Sequence, residues 1–285
     1  MKKAITVLAA VLLCAACAAN KPAVRTQTLD KGTVQVYDFG KVKLHAYDTR
    51  DAMADSVFLV EKDGNLVIIE QPAFYEGEKE LAAYIDTLNA KPRAKVLSYH
   101  MSGGAFLPDV PVHTTPQARE YGHHGGGKAL IDGFVQAFGA PFDGKISDMD
   151  RELPKGESSV AGLTLRVIPT AEAFDVEIPE INSVYTHMLG ADTHSIIAGP
   201  AHADAILDTL RQFQRKNYRY ILSAHHMPEG QAEVAVKIAY IQDIKELAAS
   251  SRDAADFKAR VKAKYPAYLG ENYLDMTAGF FFPSK

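Results

Sequence analysis

The residues of this 285-residue chain that could do chemistry are mostly imidazoles, ten in all. His100 sits in Ser98-Tyr-His-Met-Ser-Gly-Gly104, directly after a short apolar stretch. The pair His225-His226 follows another apolar stretch, in Ser223-Ala-His-His-Met-Pro228. A second pair lies in the glycine-rich segment Gly122-His-His-Gly-Gly-Gly127. An imidazole can ligate a metal or carry a proton near neutral pH, which makes the rings at the ends of apolar strands the first candidates. His123-His124, in a flexible glycine loop, reads as a solvated pair rather than a metal clip.

Other chemistries are poorly supported. The chain has two cysteines, Cys14 and Cys17, both near its start. Ser102 precedes two glycines, but no Gly-x-Ser-x-Gly frame surrounds it. Lys128 follows three glycines, yet Ala129 stands where a phosphate loop needs Ser or Thr. Asp109, Glu172, Asp175 and Asp192 fall on predicted loops, and His113, His187, His194 and His202 near ends of predicted elements. These form the reserve from which a site could be completed.

The elements that must position these residues can be read from periodicity. Residues 33–39 and 42–47 alternate as strands, and 56–61 and 66–70 form a hairpin around Asp63-Gly64, a pair suited to a turn with positive φ. Residues 76–88 have helical spacing, with Leu81, Tyr84, Ile85 and Leu88 on one face. A buried strand over 94–99 leads to His100. A further short strand covers 110–114, and Thr115-Pro116 opens a helix. Later strands are predicted at 163–168, 183–188, 195–198 and 218–223, with an amphipathic helix over 201–216 and long helices over 229–249 and 254–264. The aromatic tail is too short for a core of its own and must pack on the main body. Strands in runs with helices between them predict an α/β chain of two packed sheets covered by helices.

The first residues read as an export signal: Lys2 and Lys3, an apolar run over 4–13 broken only by Thr6, then Cys14-Ala-Ala-Cys17. Ala15-Ala16-Cys17 resembles the lipobox of bacterial lipoproteins, which implies cleavage after residue 16, lipidation of Cys17 and, with Ala18 following, sorting to the outer membrane. Ordinary cleavage near Ala16 or Ala18, without lipid, is the alternative. Cleavage before Cys17 leaves 269 residues, removes Lys2 and Lys3, and takes the formal charge from −4 to −6. No basic cluster points to nucleic acid. With 47 % hydrophobic residues the chain can fill a core. The expected organisation is a signal peptide over 1–16, a tether over 17–30, a main domain over 31–230 and a helical extension over 231–285 packed on it.

The order of elements and two motif sites resemble the metallo-β-lactamase superfamily, over roughly residues 34–230. The hairpin holding Asp55-Ser-Val-Phe-Leu-Val60 and Leu66-Val-Ile-Ile-Glu70 is similar to the family's opening strands. A strand ending in His and Gly-Gly follows, and Ser223-Ala-His-His-Met-Pro228 is similar to its closing small-Gly-His-Gly-Pro signature. The resemblance implies a four-layer αββα sandwich and a zinc centre at strand ends. It implies His100 and His225, or His226 if the match slips by one, as metal ligands. The usual His-x-His-x-Asp-His motif is otherwise lost, Phe174 stands where a His would, and Gly199-Pro200 stands where the family has Gly-Asp. Two imidazoles make a poor zinc site. The expectation is therefore an envelope protein of hydrolase type with an altered or degenerate centre, holding one zinc or other divalent metal, or none. The alternative is a non-catalytic periplasmic protein that kept the fold and binds a small molecule or partner.

Overall fold

The computed structural model describes residues 22–283; the signal segment 1–16 and Cys17 lie outside that range. One sheet has eight strands in sequence order: β1 (Ala23–Thr28), β2 (Thr33–Asp38), β3 (Val42–Asp48), β4 (Ser56–Lys62), β5 (Asn65–Ile69), β6 (Lys91–Val96), β7 (Val112–Thr114) and β8 (Arg151–Glu152). It is antiparallel up to β5 and parallel from β5 to β8. The second sheet has six: β9 (Gly156–Val160), β10 (Leu163–Pro169), β11 (Phe174–Ile178), β12 (Ser183–Thr186), β13 (Tyr220–Ser223) and β14 (His226–Glu229), with only β12 and β13 parallel. The helices are α1 (Tyr75–Asp86), α2 (Pro116–His123), α3 (Gly126–Phe138), α4 (Pro200–Lys216), α5 (Gln231–Ser250), α6 (Ala254–Lys264) and α7 (Glu271–Phe281). Among the described residues no helix is long and apolar enough to cross a membrane.

The apolar runs of the sequence serve two faces at once. Successive side chains of a strand point to opposite sides, so a strand buried on both reads as continuous hydrophobicity. Phe58 and Val60 face the core between the sheets, with Val67, Ile69, Leu165, Val167, Val176 and Leu222. Their neighbours Val57, Leu59, Leu66 and Ile68 face outward and pack under Leu81, Tyr84 and Ile85 of α1. In the second sheet Val184 and Ile221 face outward, beneath Leu207 and Leu210 of α4, Ile241 of α5, Phe257 of α6 and Leu274 of α7. The layers are helix, sheet, sheet, helix, as expected, and the C-terminal helices share one core with the second sheet.

Most predicted elements form. The turn between β4 and β5 places Asp63 at φ 49° and Gly64 at φ 74°. Three differences have physical reasons. Part of the stretch read as a tether forms β1, whose six residues are all exposed and gain order from the ladder with β2. The expected strand over 195–198 does not form. That segment is a loop whose Ile197 N–H is taken by the Thr277 hydroxyl of α7 and whose Ala198 N–H is taken by His202 Nδ1. The aromatic tail, residues 265–283, contains α7, whose Leu274 and Ala278 pack into the core beneath the second sheet.

Glu70, just past β5, couples the layers. It is fully buried in the left-handed region, at φ 60°. Its Oε1 accepts the N–H groups of Ser98 (3.2 Å) and Tyr99 (3.0 Å) and the Tyr185 hydroxyl of β12 (2.6 Å); Oε2 accepts the His100 N–H (3.2 Å). One side chain thus fixes the loop after β6 and ties it to the second sheet. In Glu70→Gln the amide nitrogen meets a donor in either orientation, so at least one buried N–H loses its acceptor. The expected loss is about 1–3 kcal/mol in urea unfolding; an unchanged midpoint would refute this role.

A second buried carboxyl sets a pH dependence. Glu78, in the first turn of α1, is 7 % exposed and shares a hydrogen bond with Asp143. Burial first, then the Asp143 charge, push its pKa from 4.5 up to about 8. A carboxyl whose pKa rises on folding stabilises the fold fully below its unfolded pKa, and loses that contribution as pH climbs through the folded value. Stability should therefore fall between about pH 4.5 and pH 8. Glu78→Gln, which keeps a donor toward Asp143, is expected to flatten this decline, measured as urea midpoints across the range.

Candidate metal centre

Three imidazoles from three strand ends meet on one rim. His100 follows β6, His187 follows β12 and His225 follows β13. Since β12 and β13 run parallel, both deliver their last residues to the same edge; Ala224 N–H donates to His187 O (3.0 Å) and holds the two ends side by side. The first sheet is joined there by Ser56 N–H donating to Ala224 O (2.6 Å). Ring centroids lie 4.8 Å apart for His100 and His225, 5.3 Å for His187 and His225, and 5.5 Å for His100 and His187. One nitrogen of each ring falls within 4.8 Å of the others.

Behind two of these rings stands Asp55, 1 % exposed, on the residue before β4. Its Oδ1 lies 3.1 Å from His225 Nδ1 and 3.8 Å from His100 Nδ1. His225 Nδ1 also lies 3.2 Å from the Met53 carbonyl. Both neighbours are acceptors, so Nδ1 carries the proton and Nε2 keeps the lone pair. His100 Nδ1 is buried without a hydrogen-bond partner. The third ring is held by stacking: Tyr99 lies 4.4 Å from His187 at an interplanar angle of 9°, and the Tyr99 hydroxyl is hydrogen-bonded to Thr170 Oγ1 (2.7 Å).

Burial and pairing compete across this cluster. Burial, reinforced by the charges of His100 and His225, drives the His187 pKa well below the ordinary range, leaving a neutral ring with a free lone pair. Burial also disfavours charge on His225, but the nearby Asp55 carboxylate outweighs it and raises its pKa. For Asp55 burial opposes ionisation; His100 and His225 overcome it and hold the carboxyl below the usual range. Asp51, next in line, is pushed up to about 6 by burial and by Asp55.

The donor set fits a divalent ion. Three histidines with an orienting carboxylate and an open position are a recurrent arrangement for catalytic zinc. The fit is better than the two imidazoles expected from sequence. His100 and His225 come together as expected. His226 does not join them: as the first residue of β14 it turns its Nε2 to Asp192 (3.0 Å) and its Nδ1 to the Met227 carbonyl (3.1 Å). Phe174 is sealed in the core between the sheets. Gly199-Pro200 opens α4 rather than following a strand, and the strand parallel to β13 ends instead at His187. In sequence His187 is only a reserve candidate and Asp55 only a residue of the hairpin. The signal that could have found His187 is its place directly after the apolar Ser183–Thr186 strand, matching His225 after Tyr220–Ser223.

The remaining candidates lie apart. His123 bonds the Ser147 carbonyl and His124 pairs with Glu120 on the surface. His194 contacts the Tyr240 hydroxyl. Asp175 is buried on β11, where desolvation raises its pKa to about 7; Asp109 and Glu172 are exposed.

No family model matches the sequence, and no curated protein matches it. Solved structures do match. The sec-alkylsulfatase Pisa1 from Pseudomonas sp. aligns at 15 % identity with a TM-score of 0.58, over 87 % of this chain and 49 % of its own. This chain thus spans about half the length of that enzyme. A metallo-β-lactamase family protein from Thermus thermophilus aligns at 13 % identity and TM-score 0.59, over 85 % of this chain and 91 % of its own. The metallo-β-lactamase FIM-1 from Pseudomonas aeruginosa, solved in a mono-zinc form, aligns at 14 % and 0.52, over 75 % and 96 %. The helix-flanked pair of sheets that these structures match over three quarters or more of the chain is the metallo-β-lactamase fold.

Proposed function

We propose that this chain is a hydrolase-type member of the metallo-β-lactamase superfamily, exported and lipid-anchored at the cell envelope, with an altered metal centre built on His100, His187 and His225. The observation that carries the reading is the convergence of three imidazole nitrogens within 4.8 Å at the strand ends, backed by a buried carboxylate. Three histidine ligands leave a further position of a divalent ion open to water. When bound there, such an ion supplies Lewis acidity to a hydrolytic water.

The chain's own residues do the rest. The Met53 carbonyl and the Asp55 carboxylate keep the His225 proton on Nδ1, which leaves the Nε2 lone pair for an ion. Glu70 holds the backbone that presents His100. Tyr99 fixes the plane of His187. The chemistry this supports is hydrolysis of an ester, amide or related bond by activated water. The alkylsulfatase likeness adds sulfate esters to the substrates worth testing.

The second reading is a binding protein that kept the fold without turnover. It is favoured by one observation: among the described residues, two open grooves lie away from His100, His187 and His225.

The purified 17–285 protein is expected to take up about one equivalent of zinc or another divalent metal. His187→Ala and His225→Ala should abolish tight uptake, His226→Ala should keep it, and Asp55→Asn should weaken it by about 10–100-fold. Metal analysis and competition with a chromophoric chelator check this; uptake that depends on His226 and not on His187 would sink the centre. Turnover of chromogenic ester, amide or alkyl sulfate substrates, lost in His187→Ala, marks the enzyme. Metal uptake without turnover marks the binding protein.

Anchoring is tested separately. The full-length chain should incorporate a clickable fatty acid in a bacterial host, and Cys17→Ser should not. Label retained in Cys17→Ser would rule out the lipobox.

A further inference from the structure

An open groove of about 540 Å³ lies at the lateral edge of the sandwich, where β8 of one sheet faces β9 of the other. It is remote from the metal centre along the strands: Arg93 and Ala94 lie near the start of β6, whereas His100 follows that strand's end. Arg93, His113 and Arg151 come from three adjacent parallel strands and line one wall, and Ala161 is its partly exposed apolar residue, with Ala94 and Val160 buried beneath. No Asp or Glu lines it.

Its cations are unspent. Neither Arg93 nor Arg151 forms an ion pair among the described residues. The Arg93 guanidinium is instead steadied through its Nε by Asn65 Oδ1 (3.1 Å), which leaves its terminal nitrogens facing outward from that bond. Asp150, beside Arg151 in the chain, has its Oδ2 engaged by the Val112 N–H (2.8 Å). His113 is half-buried in the same wall, and burial and the Arg151 charge both disfavour its protonation, with Asp150 opposing them. Two guanidinium groups without an ion-pair partner leave donors free, and planar guanidinium groups suit carboxylate and phosphate oxygens.

We infer that this groove binds a small organic anion, a carboxylate or phosphate monoester whose charged head sits between Arg93 and Arg151 and whose body rests on Ala161. The inference is independent of the metal centre.

The test uses metal-free protein and follows the His113 ring protons by NMR, assigned with His113→Gln. Inorganic phosphate and phenyl phosphate are titrated at fixed ionic strength, with chloride as the control. Phosphate should give a saturable shift and raise the His113 pKa, and phenyl phosphate should bind more tightly. Arg93→Gln and Arg151→Gln, both exposed positions whose unfolding midpoints should match the parent, should each weaken binding about tenfold or more. His187→Ala should bind as the parent does. A shift that chloride reproduces, that fails to saturate, or that survives both arginine substitutions would overturn the proposal. So would binding lost in His187→Ala.

Discussion

The fully buried Glu70 receives three backbone N–H groups and a phenol, and the position of His100 depends on that arrangement. A carboxylate taken out of water costs several kcal/mol unless its lone pairs are used. The N–H groups of residues 98–100 face the converse difficulty, because their strand has ended and β5 offers them no further carbonyl. Each requirement answers the other. Glu70 supplies acceptors where the ladder runs out, and the loop supplies donors where the carboxylate has no water. The left-handed φ of Glu70 is the cost of turning its side chain back over β6 rather than along β5. Tyr185 extends the arrangement across the interior, so that the loop carrying His100 is registered against β12, the strand that carries His187.

The histidine cluster shows the same competition at a partly open rim. Burial acts on every member, yet the outcomes differ because only some have a charged neighbour in reach. His187 has a tyrosine face on one side and two other imidazoles beyond, so desolvation prevails and the ring is neutral. His225 has Asp55 at 3.1 Å, and pairing prevails. The result is a neutral donor, a tautomer-locked donor and an anionic partner within one cluster, which is what a cation requires of its surroundings. Asp55 reaches this place because Thr49 N–H and Ser56 N–H, on either side, bond to Asp55 O and Ala224 O and fold the 49–55 loop under the rim.

The fold was legible because its strands are buried on both faces and its turns carry their own chemistry. Val57 to Val60 and Leu66 to Ile69 read as continuous apolar runs, and Asp63-Gly64 supplies the positive φ that closes the hairpin. The site was legible only in part. His100 and His225 follow apolar runs and could be read as strand-end residues. His187 also does, but nothing in sequence says that β12 and β13 lie side by side, since α4 and the loop before it separate them. Asp55 is an ordinary loop acid until the fold carries the 49–55 loop beneath two imidazoles. The misplaced strand over 195–198 has a related cause: Ile197 is fully buried, yet its N–H pairs with a side chain of α7, a partner about 80 residues away that local pattern cannot reveal.

That distant pairing also gives the C-terminal helices a structural role at the rim. The loop after His187 needs support, because β12 has ended and no strand continues beside residues 189–194. Glu229 takes the Gly190 and Ala191 N–H groups, and Lys237 of α5 donates to the Gly190 and Thr193 carbonyls. Lys237 is 3 % exposed, and burial pushes its pKa down to about 7, a cost accepted where its ammonium ties two carbonyls of this loop to α5. Leu269, just before α7, completes the brace by exchanging backbone bonds with Asp192 and His194. His226 is drawn into this support through Asp192, which is the physical reason that it and His225, adjacent in sequence, serve different purposes. The helices beyond residue 230 therefore do more than cover the second sheet: they fix the strand-end loop that leads away from the third imidazole.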